Sequence, residues 1–314
     1  MIRRLFGTHV AVTDEPAHAR GRDRSMRRHE SVWGILMIAP LMVGWAIFFL
    51  IAFVASFGVS LTSWTLLSAP TFVGIDNYAR LVQDGRFIAS IGNTIRLTLL
   101  FVPLNLVVAI GLAITLNRLP YFRNAYRAAF FLPLLTLPVA TALVWKWLYD
   151  PTFGPINGVL RLLGIDGPKW LADPTLAMPA LVVMLVWNGV GRDMIIFLAG
   201  LKAIPHDLYE AAEVDGANRW QMFRHITLPL LSPTTFFVAV VSTIGALQVF
   251  DAVYVMTGGG PGGTTRTVVF YLYEEAFKNF RIGYASAMTW VLFLLVLAFT
   301  LVQFRAQRRW VHYA

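Results

Sequence analysis

Cysteine is absent from the 314 residues, which excludes disulfides, thiolate catalysis and cysteine-held zinc or iron–sulfur sites. Charge is scarce too. Asp, Glu, Lys and Arg make up 14% of the chain, 57% is hydrophobic, and the mean hydropathy is +0.63. A soluble domain carries about 25% charged residues, so this chain has too little charge to coat a water-soluble body of its length. An ordinary soluble enzyme is excluded, and the class is a polytopic membrane protein.

Catalytic signatures are missing as well. A phosphate-binding loop needs Gly-x-x-x-x-Gly-Lys-Ser/Thr, because backbone amides and the lysine together cradle the phosphates. The run from Gly258 to Thr265 has the glycines and threonines but no lysine, and it reads as a flexible external turn. The six histidines show no paired metal-ligand spacing, and neither Gly-x-Ser-x-Gly nor His-Glu-x-x-His occurs. The chain is expected to bind no cofactor or metal of its own and to be no enzyme.

Long apolar runs are what the sequence does have. A helix needs about 20 apolar residues to cross the roughly 30 Å hydrocarbon core. Six stretches qualify, near 33–60, 97–117, 128–145, 176–201, 226–250 and 282–304, and the fourth is interrupted by Arg192 and Asp193. Lys and Arg favour the cytoplasmic side of a membrane. Sixteen lie in the amino-terminal tail, the second-to-third and fourth-to-fifth connections and the carboxyl tail, against seven in the other connections. Both termini are therefore expected in the cytoplasm. The formal charge of +9 reads as a topology signal and not as a nucleic-acid footprint.

The expected organisation is all-α: a basic tail (1–30) with no cleaved signal, then a first span and external loop (31–91). A core of further spans (92–304) and a cytoplasmic tail (305–314) follow.

The fourth-to-fifth connection, about 203–229, reads as a helix–turn–helix knuckle. Pro205 suits a helix's first turn, Asp207 and Glu210 sit near its positive end, and Gly216 can take the left-handed conformation that ends it. A second short helix starts at Ala217 and leads to Pro229.

Glu210-Ala211-Ala212, three residues, Gly216, nine residues, Ile226, one residue, Leu228-Pro229 resembles the EAA coupling motif of ATP-binding-cassette importer permeases. Trp145-Lys146-Trp147-Leu148, Trp170-Leu171-Ala172-Asp173-Pro174 and the run from Phe250 to Pro261 are similar to the carbohydrate-uptake branch, the maltose and glycerol-3-phosphate permeases. The large external insertion and extra amino-terminal spans of the maltose subunit are not present.

The resemblance implies a type I importer permease (MetI-like) fold in a bacterial or archaeal cytoplasmic membrane. Its implied partners are a second related permease, two ATPase subunits carrying ATP and Mg, and an extracytoplasmic solute-binding protein. It implies that Glu210, Ala211, Ala212, Asp215, Gly216, Ile226, Leu228 and Pro229 couple to the ATPase. A sugar or oligosaccharide is the expected solute, with a glycerol phosphate-type solute as the alternative.

For the pathway, Asn188, Arg192, Gln248 and Asp251 are the candidates. Arg192 lies roughly 15 Å into the bilayer at about 1.5 Å per residue. Intramembrane charges face a cavity or a partner, so Arg192 either borders the pathway, belongs to a structural ion pair or snorkels. Adjacent helical positions diverge, which argues against Arg192 and Asp193 pairing solely with each other. Trp145, Trp147 and Trp187 read as interface anchors before sugar-stacking groups. A stand-alone secondary transporter would lack the knuckle, and an intramembrane enzyme would need a buried catalytic set that the sequence does not offer.

Overall fold

The computed structural model describes residues 33–65, 68–118 and 123–311. The expected basic tail at 1–30 lies outside the described residues, as do 312–314. The chain divides into two units, Met1–Ser56 and Phe57–Ala314.

In the first unit the described residues are helical, with a π-helical turn over Ala46–Ile51. Apolar side chains such as Met37 and Phe48 stay more than three-quarters exposed. A helix apolar all round has no polar face to give to water and suits lipid. The helical run as a whole, α1, is Trp33–Ser60.

In the second unit the end of α1 is followed by a two-stranded antiparallel hairpin, β1 (Thr62–Ser63) and β2 (Thr71–Phe72), a small exception to the all-α expectation. Asn77 donates to the Ser60 and Thr62 carbonyls and ties the hairpin to the short helix α2 (Asp76–Gln83).

Helix α3 (Gly85–Arg118) begins twelve residues before the expected second span. In its first turns Phe87, Ser90 and Thr94 are buried against the rest of the unit, while Arg86, Ile88 and Arg96 are exposed. Asp84 Oδ1 accepts the Arg86 and Phe87 amides at 2.9 and 3.2 Å and caps the helix. Thr94 accepts the Val268 amide, and Asn93 donates to the Gly263 and Arg266 carbonyls. The glycine run is therefore not the free turn expected from composition. Gly258, Gly259, Gly262 and Gly263 take positive φ, and Thr265 is fully buried, bonded to Thr257 and the Gly260 carbonyl.

The core forms where α3 packs on α7 (Ala177–Ala203) and α10 (Ser232–Leu247). Leu97, Phe101 and Ala109 of α3 meet Val182, Met194 and Phe197 of α7 and Val238 of α10. The last helix, α12 (Ile282–Trp310), packs against α10, α2 and the short α11 (Val268–Tyr273).

Two of the six expected spans are broken. The third consists of α4 (Arg123–Phe131), a 3-10 turn (Leu132–Leu135) and α5 (Pro138–Leu148), bent by 101°. Pro133 and Pro138 each lack an N–H, so the helical ladder fails between them, and Thr136 bonds the freed Pro133 carbonyl. The segment after α5 carries the short helix α6 (Pro155–Leu162). In the fifth, α9 (Arg219–Leu230) meets α10 at 62°. Four helices are long and apolar enough to cross a membrane, or up to six if each bent pair is one span.

Candidate functional site

The knuckle is an exposed helical hairpin. Its first arm, α8 (His206–Val214), starts after Pro205, which stands one position before the first turn expected for it. Glu210 pairs with His206 Nδ1 at 3.0 Å across one turn, with both side chains exposed. The arm ends as Gly216 takes φ +78°. The Ala217 amide reaches the Ala212 carbonyl at 2.9 Å and the Gly216 amide reaches that of Glu213 at 3.0 Å. This pair of bonds is the Schellman closure, and it needs the left-handed residue. Space is not the constraint, because a Cβ on Gly216 would meet nothing within 4 Å.

The second arm starts from a cap the motif did not signal. Asn218 Oδ1 accepts the Trp220 and Gln221 amides, while Gln221 Oε1 accepts the Asn218 amide at 2.7 Å. This is a capping box, readable afterwards from Asn-x-x-Gln. The Tyr209 hydroxyl lies 2.9 Å from Thr227 Oγ1, joining the first arm to the stalk of the second. Glu210, Ala211, Asp215 and Gly216 are exposed on the hairpin and Ala212 is half-buried. Ile226, Leu228 and Pro229 lie in the stalk. Beneath the hairpin is a groove of about 960 Å³, lined by Ile114 and Asn117 of α3 and by Tyr209, Met222 and Phe223.

The intramembrane charges form a polar knot. Arg192 Nε donates to Asp193 Oδ1 at 2.9 Å, so the guanidinium stem folds back onto its neighbour despite the divergence expected on a helix. Asp193, 1% exposed, also accepts from Asn105 Nδ2 of α3 at 2.6 Å and Ser242 Oγ of α10 at 3.3 Å. Three helices meet on one carboxylate. Of the alternatives open for Arg192, the structure shows an ion pair with Asp193, whose further partners Asn105 and Ser242 the expectation did not name. The available signal was the presence of Asn105 and Ser242 inside otherwise apolar runs.

Asn188, one turn before Arg192, donates to the Pro133 carbonyl at 3.3 Å in the broken third span. Gly191 lets the two segments touch, since a Cβ there would strike the Phe130 carbonyl. Gln248 and Asp251 lie past the end of α10 at Leu247, both exposed, and neither side chain hydrogen-bonds among the described residues. No hydrogen bond joins them to Asn188 or Arg192 among the described residues. Trp145 packs on Trp187 and Tyr149 with ring centroids 5.6 and 5.4 Å apart. Among the described residues no group of His, Asp and Glu could hold a metal.

The family described as the binding-protein-dependent transport system inner membrane component matches residues 30–312. The chain belongs to this family. It is a permease subunit and not an enzyme. The permease is 38% identical over 96% of its length to the probable ABC transporter permease protein YesP of Bacillus subtilis (strain 168), covering 98% of that protein. It is 35% identical to the trehalose/maltose transport system permease protein MalF of Thermococcus litoralis, over 90% of this permease and 96% of MalF. Among solved structures it resembles a chain of a bacterial alginate ABC transporter in complex with an alginate pentasaccharide-bound periplasmic protein. There the TM-score is 0.80 at 25% identity, covering 91% of this permease and 96% of that chain.

Proposed function

We propose that this permease forms half of the translocation pathway of an ATP-driven, binding-protein-dependent importer for a sugar or oligosaccharide. Six spans carry it through the cytoplasmic membrane, each bent pair counting as one, with both termini in the cytoplasm. A second related permease completes the pathway, two ATPase subunits bind ATP and Mg2+, and an extracytoplasmic solute-binding protein delivers the solute. The sugar assignment is supported by the trehalose/maltose relative.

The observation that carries the coupling role is the complete spaced motif on a rigid, exposed hairpin. Schellman closure at Gly216 and the Asn218 capping box fix the angle between its arms. Val214 at 88% and Trp220 at 65% exposure present apolar surface for a partner groove. Glu210, Ala211, Ala212, Asp215 and Gly216 dock into the ATPase, while Ile226, Leu228 and Pro229 set the stalk. Closure of the ATPase dimer pushes the hairpin as one body, and the Tyr209–Thr227 bond passes that push to α9 and so to α10. Asn188, Arg192, Gln248 and Asp251 border the solute path.

Gly216→Val tests the coupling role. A β-branched residue in the left-handed region costs on the order of 1–2 kcal/mol, whereas Gly216→Asn tolerates it. Valine should lose ATPase copurification or solute-stimulated hydrolysis while membrane insertion persists, and asparagine should retain both. Normal assembly and transport by the valine variant would sink the assignment.

A further inference from the structure

The family contains members whose solutes differ in charge: the trehalose/maltose relative carries neutral sugars by its name, and alginate is an acidic polysaccharide. The shared fold therefore does not decide solute charge, and individual side chains must. Among the described residues of α7 the one cation at about half depth is Arg192, and its charge is already answered. Asp193 Oδ1 takes Nε at 2.9 Å, and Oδ2 lies 3.5 Å from the second guanidinium nitrogen.

The carboxylate is held from three sides. Asn105 from α3 and Ser242 from α10 bind Oδ2, and the side chain is 1% exposed, so Asp193 cannot swing away when a solute arrives. Arg192 itself keeps 41% exposure. Its remaining N–H donors belong to a pair with no net charge. The other pathway candidates add no positive charge: Asn188 and Gln248 are neutral and Asp251 is acidic. Lys146, in the last turn of α5, donates to the Val255 carbonyl and keeps its charge, but it stands on a different helix from the Arg192–Asp193 pair.

A phosphate, sulfonate or uronate entering a low-dielectric passage needs an unanswered cation to replace its hydration. A hydroxylated neutral solute needs donors and acceptors without net charge. We propose that Asp193 is a positioning residue that cancels Arg192 at half depth and thereby selects uncharged polyhydroxylated solutes over anionic ones. This rests on the reading above that Asn188 and Arg192 border the path.

The absence of native cysteine allows a direct test in membranes holding the assembled importer. A single Asn188→Cys reports from one turn before Arg192. Its reaction rates with an anionic and a cationic methanethiosulfonate reagent, each divided by the rate for a free thiol in solution, give a charge-preference ratio. With Asp193 intact the ratio should stay within a few-fold of unity. Adding Asp193→Asn should shift it towards the anionic reagent on the order of tenfold, since one unit charge is uncovered within a helical turn. Arg192→Met with Asp193→Asn should return it to the starting value.

A strong anionic preference with Asp193 intact would overturn the inference without need of the Asn variant, should that variant fail to assemble. An unchanged ratio in the Asn variant would overturn it alone, leaving the pathway reading in place. A cysteine at 188 that reacts with neither reagent during turnover would overturn the pathway reading and the inference together.

Discussion

Replacing Asp84 with alanine removes a junction that joins three elements on the face assigned to the outside. Oδ1 caps α3 through two backbone amides, and Oδ2 accepts hydroxyl hydrogen bonds from Tyr271 and Tyr284, each at 2.7 Å. Loss of the cap costs about 1 kcal/mol. Each hydroxyl bond to a carboxylate contributes about 1.5 kcal/mol, the low end for charged partners, because Asp84 is only half-buried. Asp84→Ala should therefore destabilise the second unit by roughly 3–4 kcal/mol, and Tyr271→Phe or Tyr284→Phe by roughly 1–1.5 kcal/mol each. Asp84→Asn should fall between, since asparagine still caps a helix.

The same junction fixes a pH window. Burial pushes the Asp84 carboxyl up, but hydrogen bonds from Tyr271, Tyr284 and the Phe87 and Arg86 amides outweigh it and hold the group below its ordinary 3.8. Burial, and then the Asp84 carboxylate, hold the Tyr271 hydroxyl above its ordinary 10.0. A carboxyl depressed in the folded state stabilises fully above its unfolded value, and that contribution is lost as pH falls through the folded one. Thermal unfolding of the detergent-solubilised permease, followed by tryptophan fluorescence at pH 7 and between pH 4 and 3, reads both effects. At pH 7 the alanine variant should melt on the order of 10 °C below the parent, and the gap should narrow as the acid range is entered. A melting difference under about 2 °C at pH 7, or a gap that widens on acidification, would refute the assignment of stability to this carboxylate.

Gly191→Ala places a methyl group against the Phe130 carbonyl, a backbone atom that cannot rotate aside. It should cost about 1–3 kcal/mol as overpacking and weaken the Asn188–Pro133 bond, and an unchanged melting temperature would show that α4 yields freely. For topology, impermeant thiol labelling should reach Thr152→Cys from outside and Val214→Cys only after the membrane is opened. Gly259 is a poor external reporter, because it is buried and a side chain there would crowd Phe270 at 2.7 Å. Labelling of position 214 from outside would reverse the proposed orientation.

The sequence alone determined the class and the helical knuckle, because both rest on local chemistry. Lipid asks of a span only that about 20 consecutive residues be apolar, so the four long helices could be read from composition. The knuckle was legible for the same reason. Pro205, Gly216 and the Glu210–Ala212 triplet act on their own backbone, whose conformation depends on residues within one turn.

Tertiary structure decided everything that depends on which helix lies beside which. Prolines at 133 and 138 announce a break but not a 101° bend, which needs Gly191 of another helix to admit the Phe130 carbonyl. The glycine run 258–263 suggests freedom until Asn93, 170 residues away in sequence, binds the Gly263 carbonyl at its end. Asp193 illustrates the limit most clearly. Helical geometry argues that neighbours diverge, and only the arrival of Asn105 and Ser242 from two other helices pins the carboxylate where the flexible arginine can fold back onto it. Local periodicity carries no information about such pairings, because the energy that fixes them lies between segments distant in the chain.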